Sequence, residues 1–151
     1  MGMQTPVGPV EIVEDDGSIR LLRWSTARPN TQSAPSALLR RAQEQLRAYF
    51  AGELEVFDLP LHPLGEAFQQ RVCAAMLEIP FGQTRTYGEL AAQLATAAQP
   101  IGQACGDNSI PIIIPCHRVL GAKGLGGYSG SGGLETKITL LKHEHAYPYL
   151  L

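Results

Sequence analysis

The sequence is short of the residues that mark several large classes of protein. It carries 3 cysteines and 1 tryptophan in 151 residues, with no Cys-x-x-Cys pair. An odd, unevenly spaced set (Cys73, Cys105, Cys116) argues against a disulfide framework and for reduced thiols in a cytoplasmic protein. The histidines (His62, His117, His143, His145) fall outside any zinc-ligand spacing, so no metal is expected. Charged residues make up 17% of the chain and the net charge is −2, which lacks the basic signature of many nucleic-acid binders. That charge is uneven: acidic residues lead basic ones by 10 to 7 before Arg85, and basic ones lead by 5 to 4 from there on. A weakly basic second half permits DNA binding without arguing for it. The longest apolar run, "IPIIIPC", is too short to cross a bilayer. The start "MGMQTPVGPVEIV" has no basic segment leading into a long apolar one, so neither a signal peptide nor a membrane association is expected.

What is present is 44% hydrophobic residues with 16 Gly and 11 Pro, enough to build one domain or two small lobes rich in turns. Residues 10–13 (VEIV) and 19–24 (IRLLRW) read as a hairpin closed by "EDDGS". A polar loop with two prolines follows. "ALLRRAQEQLRAYFAGEL" is a helix with Leu38, Leu39, Ala42, Leu46, Tyr49 and Phe50 on one face, ending near Gly52. An extended connection then places a lobe boundary near residue 62, dividing the chain into 1–62 and 63–151. "EAFQQRVCAAMLEI" is a second helix, with Phe68, Val72, Ala75, Met76 and Ile79 inward. Thr86 and Glu89 form a capping box that opens a third. Pro100 suits the first turn of a fourth, and Gly102, Ala104 and Gly106 leave that helix almost without bulk. The third and fourth helices make a helix-turn-helix pattern, and its small residues would allow close approach to a narrow minor groove. "IPIIIP" reads as a short strand bracketed by prolines, and "LGAKGLGGYSGSGG" as a glycine-rich loop. "LETKITLLKHE" closes the chain as a helix with Leu134, Ile138 and Leu141 inward.

One stretch concentrates chemistry: "SIPIIIPCHRVLGAKG" sets Cys116 beside His117 and Arg118 before the glycine loop. A thiol becomes a nucleophile when a neighbouring base or cation favours its thiolate. Cys73 and Cys105, placed within helices, read as packed core thiols, whereas Cys116 is equally open to both readings. Adjacent side chains diverge in extended backbone, so His117 would reach the sulfur through a bridging water. Glu144 in "KHE" could hold the other histidine nitrogen as a carboxylate orients a base, or could be a solvated charge at a helix end. Tyr87 could donate a proton to a leaving group or could be a core tyrosine. A direct Cys–His protease dyad does not fit, and no oxyanion-hole motif accompanies it.

These segments resemble the O6-alkylguanine-DNA alkyltransferases. The resemblance is carried by "IPIIIPCHRVLG" with "NS" ahead of it, "GGYSGSGGLETKITLLKHE" behind, "FQQRVCAAMLEIPFGQTRTYGELA" upstream, and "TPVGP" and "LRAYFAGEL" in the first lobe. It implies an α+β fold, with a small ribonuclease H-like lobe of antiparallel sheet and helix. A mostly helical, winged helix-turn-helix-like lobe carrying the active site follows it. It implies a suicide repair enzyme that binds double-stranded DNA through the minor groove and flips out an alkylated guanine. The O6-alkyl group then moves to the enzyme's own cysteine, without a cofactor and as a monomer. Carried over residue by residue, Cys116 is the acceptor, His117 its base through a water, and Glu144 the group orienting His117. Asn108 ties the helix-turn-helix to the active-site strand and Tyr87 protonates the departing guanine. Cys116, Val119, Tyr128, Ser129 and Lys137 line or support the base pocket, and Arg118 is structural. Thr86, Gln99, Pro100, Gly102 and Gln103 face DNA.

The chain also departs from that pattern. Gln99 stands nearest to the arginine that usually fills the gap left by a flipped base, and it brings no cation. Cys73 replaces a usual tryptophan, and Ile138–Thr139 a common Glu-Trp pair, both read as changes of core packing. A zinc-binding variant of the first lobe is not expected, with no cysteine and one histidine before residue 65. Two other functions stay open: a lesion-sensing DNA-binding protein of the alkyltransferase-like type, and a thiol acceptor for non-duplex or small alkylated substrates. The acceptor cysteine speaks against the first, and Gln99 raises the second.

Overall fold

The computed structural model describes residues 1–25, 35–128 and 130–148. The predicted polar loop after the hairpin lies largely outside them. Three antiparallel strands, β1 (Gly2–Thr5), β2 (Gly8–Asp15) and β3 (Ser18–Trp24), form a sheet in chain order. The β2–β3 turn uses Asp16 and Gly17 at φ 51° and 78°, the pair of left-handed residues that an Asp-Gly hairpin requires. Sequence pattern missed β1. Its four residues carry too few β-formers for a pattern, and the Thr5 hydroxyl, donating to the Gly8 carbonyl at 2.7 Å, closes the tight turn around Pro6.

Helix α1 (Ala37–Phe50) is capped by Ser36, whose side chain accepts from the Leu39 amide. It buries Ala42, Leu46 and Tyr49. Helix α2 (Ala67–Leu77) buries Val72, Cys73, Ala75 and Met76. A short strand β4 (Arg85–Thr86) leads into α3 (Tyr87–Gln93), where both halves of the Thr86–Glu89 capping box are formed. After a turn with Ala95 at φ 55°, α4 (Ala98–Gly106) packs on α3 and completes the helix-turn-helix. Strand β5 (Val119–Leu120) pairs in parallel with β4, and α5 (Leu134–His143) ends the described fold.

The two halves are stitched by backbone. The Leu22 amide donates to the Ser109 carbonyl (2.9 Å), and the Ile19 and His62 backbones bond the connection along the free edge of β3. The Ser109 hydroxyl donates to the Arg20 carbonyl and accepts from the Leu64 amide. The second half therefore starts from a position set by the sheet.

Two expectations need correction. Residues 110–114 do not form a strand; they form a buried turn, closed by the Ile114 amide on the Ile110 carbonyl (2.9 Å) with Ile112 at φ 74°. A short apolar run reads alike in either form, because burial on all sides erases periodicity. Here Pro111 and Pro115 restrict the backbone, and Asn108 supplies the hydrogen bonds a neighbouring strand would have supplied. In α5, Leu134 is 46% exposed and Ile138 only half-buried; the buried positions are Thr136, Lys137, Leu140 and Leu141. The helix is rotated toward its polar residues because Lys137 and Glu144 are needed inside.

Candidate active site

The buried turn delivers Cys116 to the wall of a cavity of about 410 Å³. Asn108, at the exit of α4, fixes that delivery from both ends. Its Oδ1 accepts from the Ile110 amide (3.0 Å) and its Nδ2 donates to the Ile114 carbonyl (2.9 Å). Cys116 then opens a single 3₁₀ turn, Cys116–Arg118. Cys116 is buried, with 7% of the residue exposed. Burial pushes it up from its ordinary value, while a hydrogen bond from Asn108 and the charge of Lys137 pull in the other direction. At rest the group is a thiol, so it acts as a nucleophile only once its proton has left.

The 3₁₀ turn also directs His117 and Arg118 inward, where they meet Glu144 at the end of α5. His117 Nε2 lies 2.8 Å from Glu144 Oε2. Arg118 donates from Nε to Oε1 (2.7 Å), from Nη2 to Oε2 (3.0 Å), and from Nη1 to the Ile79 carbonyl (2.6 Å). The Tyr49 hydroxyl donates to Oε2 as well, at 2.6 Å. Four donors thus fill the lone-pair directions of one buried carboxylate. Burial alone would raise Glu144; the bonds from His117 and Arg118 overcome it and hold the carboxyl at about 2. An ionised Glu144 can only accept, so the proton on His117 sits at Nε2. That leaves Nδ1, buried and without a partner among the described residues, as a bare base. Burial lowers His117 from its ordinary value, so the ring is neutral at physiological pH.

The far wall comes from α3, α4 and the glycine loop. Tyr87, Gly102, Cys105, Gly106, Gly127 and Tyr128 line the cavity opposite Cys116. The Tyr87 phenol is bonded to the Gly127 backbone and raised by burial, so it is a protonated donor. The Tyr128 hydroxyl is buried without a partner among the described residues, and its ring meets Trp24 of β3 edge-on at 6.3 Å. Lys137 holds the loop: its Nζ donates to the carbonyls of Val119 (2.7 Å), Leu125 (2.5 Å) and Gly127 (3.0 Å), and it lies 5.8 Å from the centre of the Tyr87 ring. Burial lowers it to about 8. Val119 is fully buried, its carbonyl taken by Lys137 and its amide by the Cys116 carbonyl. Ser129 lies outside the described residues.

On the outer face, Gln99, Pro100 and Gln103 of α4 are exposed and Gly102 half-exposed, with Ile101, Ala104 and Cys105 turned inward. A Cβ at Gly102 would meet nothing within 4 Å, so this face is open to an approaching surface. Thr86 is half-buried and occupied in capping α3. The structure therefore gathers Cys116, His117, Glu144, Asn108, Tyr87, Tyr128, Val119 and Lys137 in and behind one cavity, and sets Gln99, Pro100 and Gln103 outside it. Sequence reasoning missed Tyr49, which reads as one more apolar residue on the inner face of α1, and it took Cys105 for core alone. Neither has a local signal, since the contacts that set Tyr49 on Glu144 and Cys105 on the cavity wall are made with residues distant in the chain.

A sheet-plus-helix lobe joined to a helix-turn-helix lobe, with a buried thiol backed by a His–Glu pair, defines the class of DNA-repair proteins that take a group onto their own cysteine. The family model described as "6-O-methylguanine DNA methyltransferase, DNA binding domain" matches residues 67–146, and the ribonuclease-like domain of the same name matches residues 2–63. The chain belongs to the 6-O-methylguanine DNA methyltransferase family. It is similar to the methylated-DNA–protein-cysteine methyltransferase of Methanosarcina acetivorans, 41% identical over 93% of this chain and 94% of that one. The Mycobacterium tuberculosis protein of the same name is 43% identical over 94% of this chain and 89% of that one. Among solved structures, the Mycobacterium tuberculosis OGT in complex with DNA superposes with a TM-score of 0.83 at 43% identity, covering 97% of this chain and 92% of that one. The Methanococcus jannaschii O6-methylguanine DNA methyltransferase superposes with a TM-score of 0.71 at 26% identity, covering all of this chain and 95% of that one.

Proposed function

We propose that this protein is a single-turnover DNA repair alkyltransferase that moves the O6-alkyl group of a flipped-out guanine to Cys116. The observation that carries the reading is a buried thiol on a cavity wall, backed by a bare histidine nitrogen whose ring a filled carboxylate holds. The Cys116 proton passes to His117 Nδ1 through a bridging water. The sulfur attacks the saturated carbon on O6, a carbon–sulfur bond forms, and the carbon–O6 bond breaks. Tyr87 gives its proton to the departing guanine, which leaves neutral, and the proton held by His117 returns to the tyrosinate through solvent. The thioether has no group on the chain that reverses it, so each molecule acts once.

The division of labour follows the lobes we assign, 1–62 and 63–151. DNA lies against α4 from its minor-groove side, with Gln99, Pro100, Gly102, Gln103 and Thr86 toward it. Tyr128, Ser129, Val119 and Lys137 shape the pocket for the alkylated base. Flipping costs a few kcal/mol, less at a weakened pair. The three cysteines are free, which fits a cytoplasmic monomer.

A second reading rests on Gln99, which sets an amide on the exposed face of α4 where a cation would fill the stack: the pocket acts on single-stranded or small alkylated substrates. Intact-mass measurement after incubation with an O6-methylguanine oligonucleotide, as duplex and as single strand, tests both. One methyl on Cys116 from the duplex, absent in Cys116→Ala, is the expected result. Transfer from the single strand alone favours the second reading, and binding without transfer makes the protein a lesion sensor.

A further inference from the structure

We propose that Tyr49, in the first lobe, is a positioning residue for alkyl transfer: its hydroxyl sets the orientation and basicity of Glu144, and through it the strength of His117 as a base. The inference rests on the function proposed above and adds to it a residue from the other half of the chain.

Tyr49 sits in the last turn of α1 and is wholly buried. Its hydroxyl donates at 2.6 Å to Glu144 Oε2, the oxygen that also receives His117 Nε2 at 2.8 Å. Nothing else in the described residues competes for that hydroxyl. The ring is fixed in place by Phe50 (4.9 Å between centroids), Phe57 (5.4 Å) and His143 (4.8 Å), and His143 Nε2 donates to the Tyr49 carbonyl at 2.7 Å. A side chain held this firmly, aimed at one atom, does more than fill space. Tyr49, His117 and Arg118 Nη2 all donate to this one oxygen and share its electron density. When the tyrosine's bond is removed, the remaining ones strengthen and the carboxylate favours the imidazolium form of His117. The active base is the neutral ring, so the loss shows first at low pH.

The other charged and titratable groups facing this cluster are Arg118 and Cys116 from the 3₁₀ turn, His143 and Lys137 from α5, and Tyr128 from the glycine loop. Phe57 and Phe81 contribute only apolar rings. Arg118 keeps Glu144 ionised when Tyr49 is changed, so the effect is a shift of the base and not a loss of the network.

The test measures the single-turnover rate of methyl transfer from an O6-methylguanine oligonucleotide against pH, with binding of the same DNA measured separately. The full chain is compared with Tyr49→Phe and with Phe50→Leu, which disturbs the same aromatic cluster without touching Glu144. Tyr49→Phe is expected to bind DNA as the parent does and to transfer about tenfold more slowly near pH 6, the worth of one hydrogen bond to a charged group. The deficit shrinks toward pH 8.5 because the acid limb has moved up, while Phe50→Leu keeps the parent profile. Replacement of Tyr49 by 3-fluorotyrosine, which keeps the fold and strengthens the donor, moves the acid limb down. A Tyr49→Phe rate lowered by the same factor at every pH, or a 3-fluorotyrosine profile identical to the parent's, would overturn the proposal. If the parent transfers no methyl at all, the function itself is wrong, whatever Tyr49 does.

Discussion

Glu144 carries a buried charge that the fold depends on and that we assign to the proposed reaction, and removing that charge gives a measurable prediction. Its carboxyl lies at about 2 against an ordinary 4.5, held there by donors from His117, Arg118 and Tyr49 despite burial. At roughly 1.4 kcal/mol per pH unit, that displacement corresponds to about 3 kcal/mol of folding free energy at neutral pH. The folded value lies below the unfolded one, so the contribution is complete above 4.5 and is lost as pH falls from there toward 2. Glu144→Gln keeps the shape, removes the charge and leaves Arg118 buried without its counter-ion. Loss of one partner of a buried pair costs about 3–5 kcal/mol, in line with the pH estimate. Equilibrium unfolding in urea at a series of pH values should therefore show the variant about 3 kcal/mol less stable at pH 7. The two proteins should converge as pH approaches 2, where the parent carries a neutral carboxyl as well. His117 adds a separate loss of stability that begins as pH drops below its ordinary 6.5, because the buried neutral ring gains a proton on unfolding. A variant deficit that stays constant from pH 7 to pH 2, or one below 1 kcal/mol throughout, would refute the reasoning.

Three further substitutions, one of them a control, probe the pocket wall. Lys137→Met leaves the carbonyls of Val119, Leu125 and Gly127 without their shared donor; transfer should fall at least about tenfold while DNA binding holds, and an unchanged single-turnover rate would show that the loop keeps itself in place. In the parent, the ammonium form is lost as pH rises through about 8, so an alkaline limb near that value should vanish in the variant. Gly126→Ala adds a Cβ 2.7 Å from Tyr87 Cε2 at a residue with φ 73°, whereas Gly124→Ala enters open space; thermal unfolding and transfer rate should both fall in the first and stay near parent values in the second.

Much of this was legible along the chain. The Thr86 cap, the spacing of Ala42, Leu46 and Tyr49, and the Asp-Gly turn depend on residues within a few positions of one another, and each forms as its pattern requires. Cys116 and His117 stand out because an apolar run delivers two reactive groups to a glycine-rich loop. The strand expected at 110–114 failed because Asn108 and two prolines outweighed β-propensity, a contest that composition does not settle. The inward face of α5 was misplaced because the helix turns Lys137 and Glu144 into the molecule, against the rule that charge faces water.

By itself, then, the sequence determined the helices, the hairpin and the helix-turn-helix, because short-range physics suffices for those, and it singled out Cys116 as a candidate nucleophile. Only the tertiary structure decided which charges are buried, which nitrogen of His117 is bare, and that Tyr49 of the first lobe shares an oxygen with His117 of the second. The reason is physical. A buried ion is tolerable only where several distant donors converge on it, and 95 residues of chain separate Tyr49 from the carboxylate it holds.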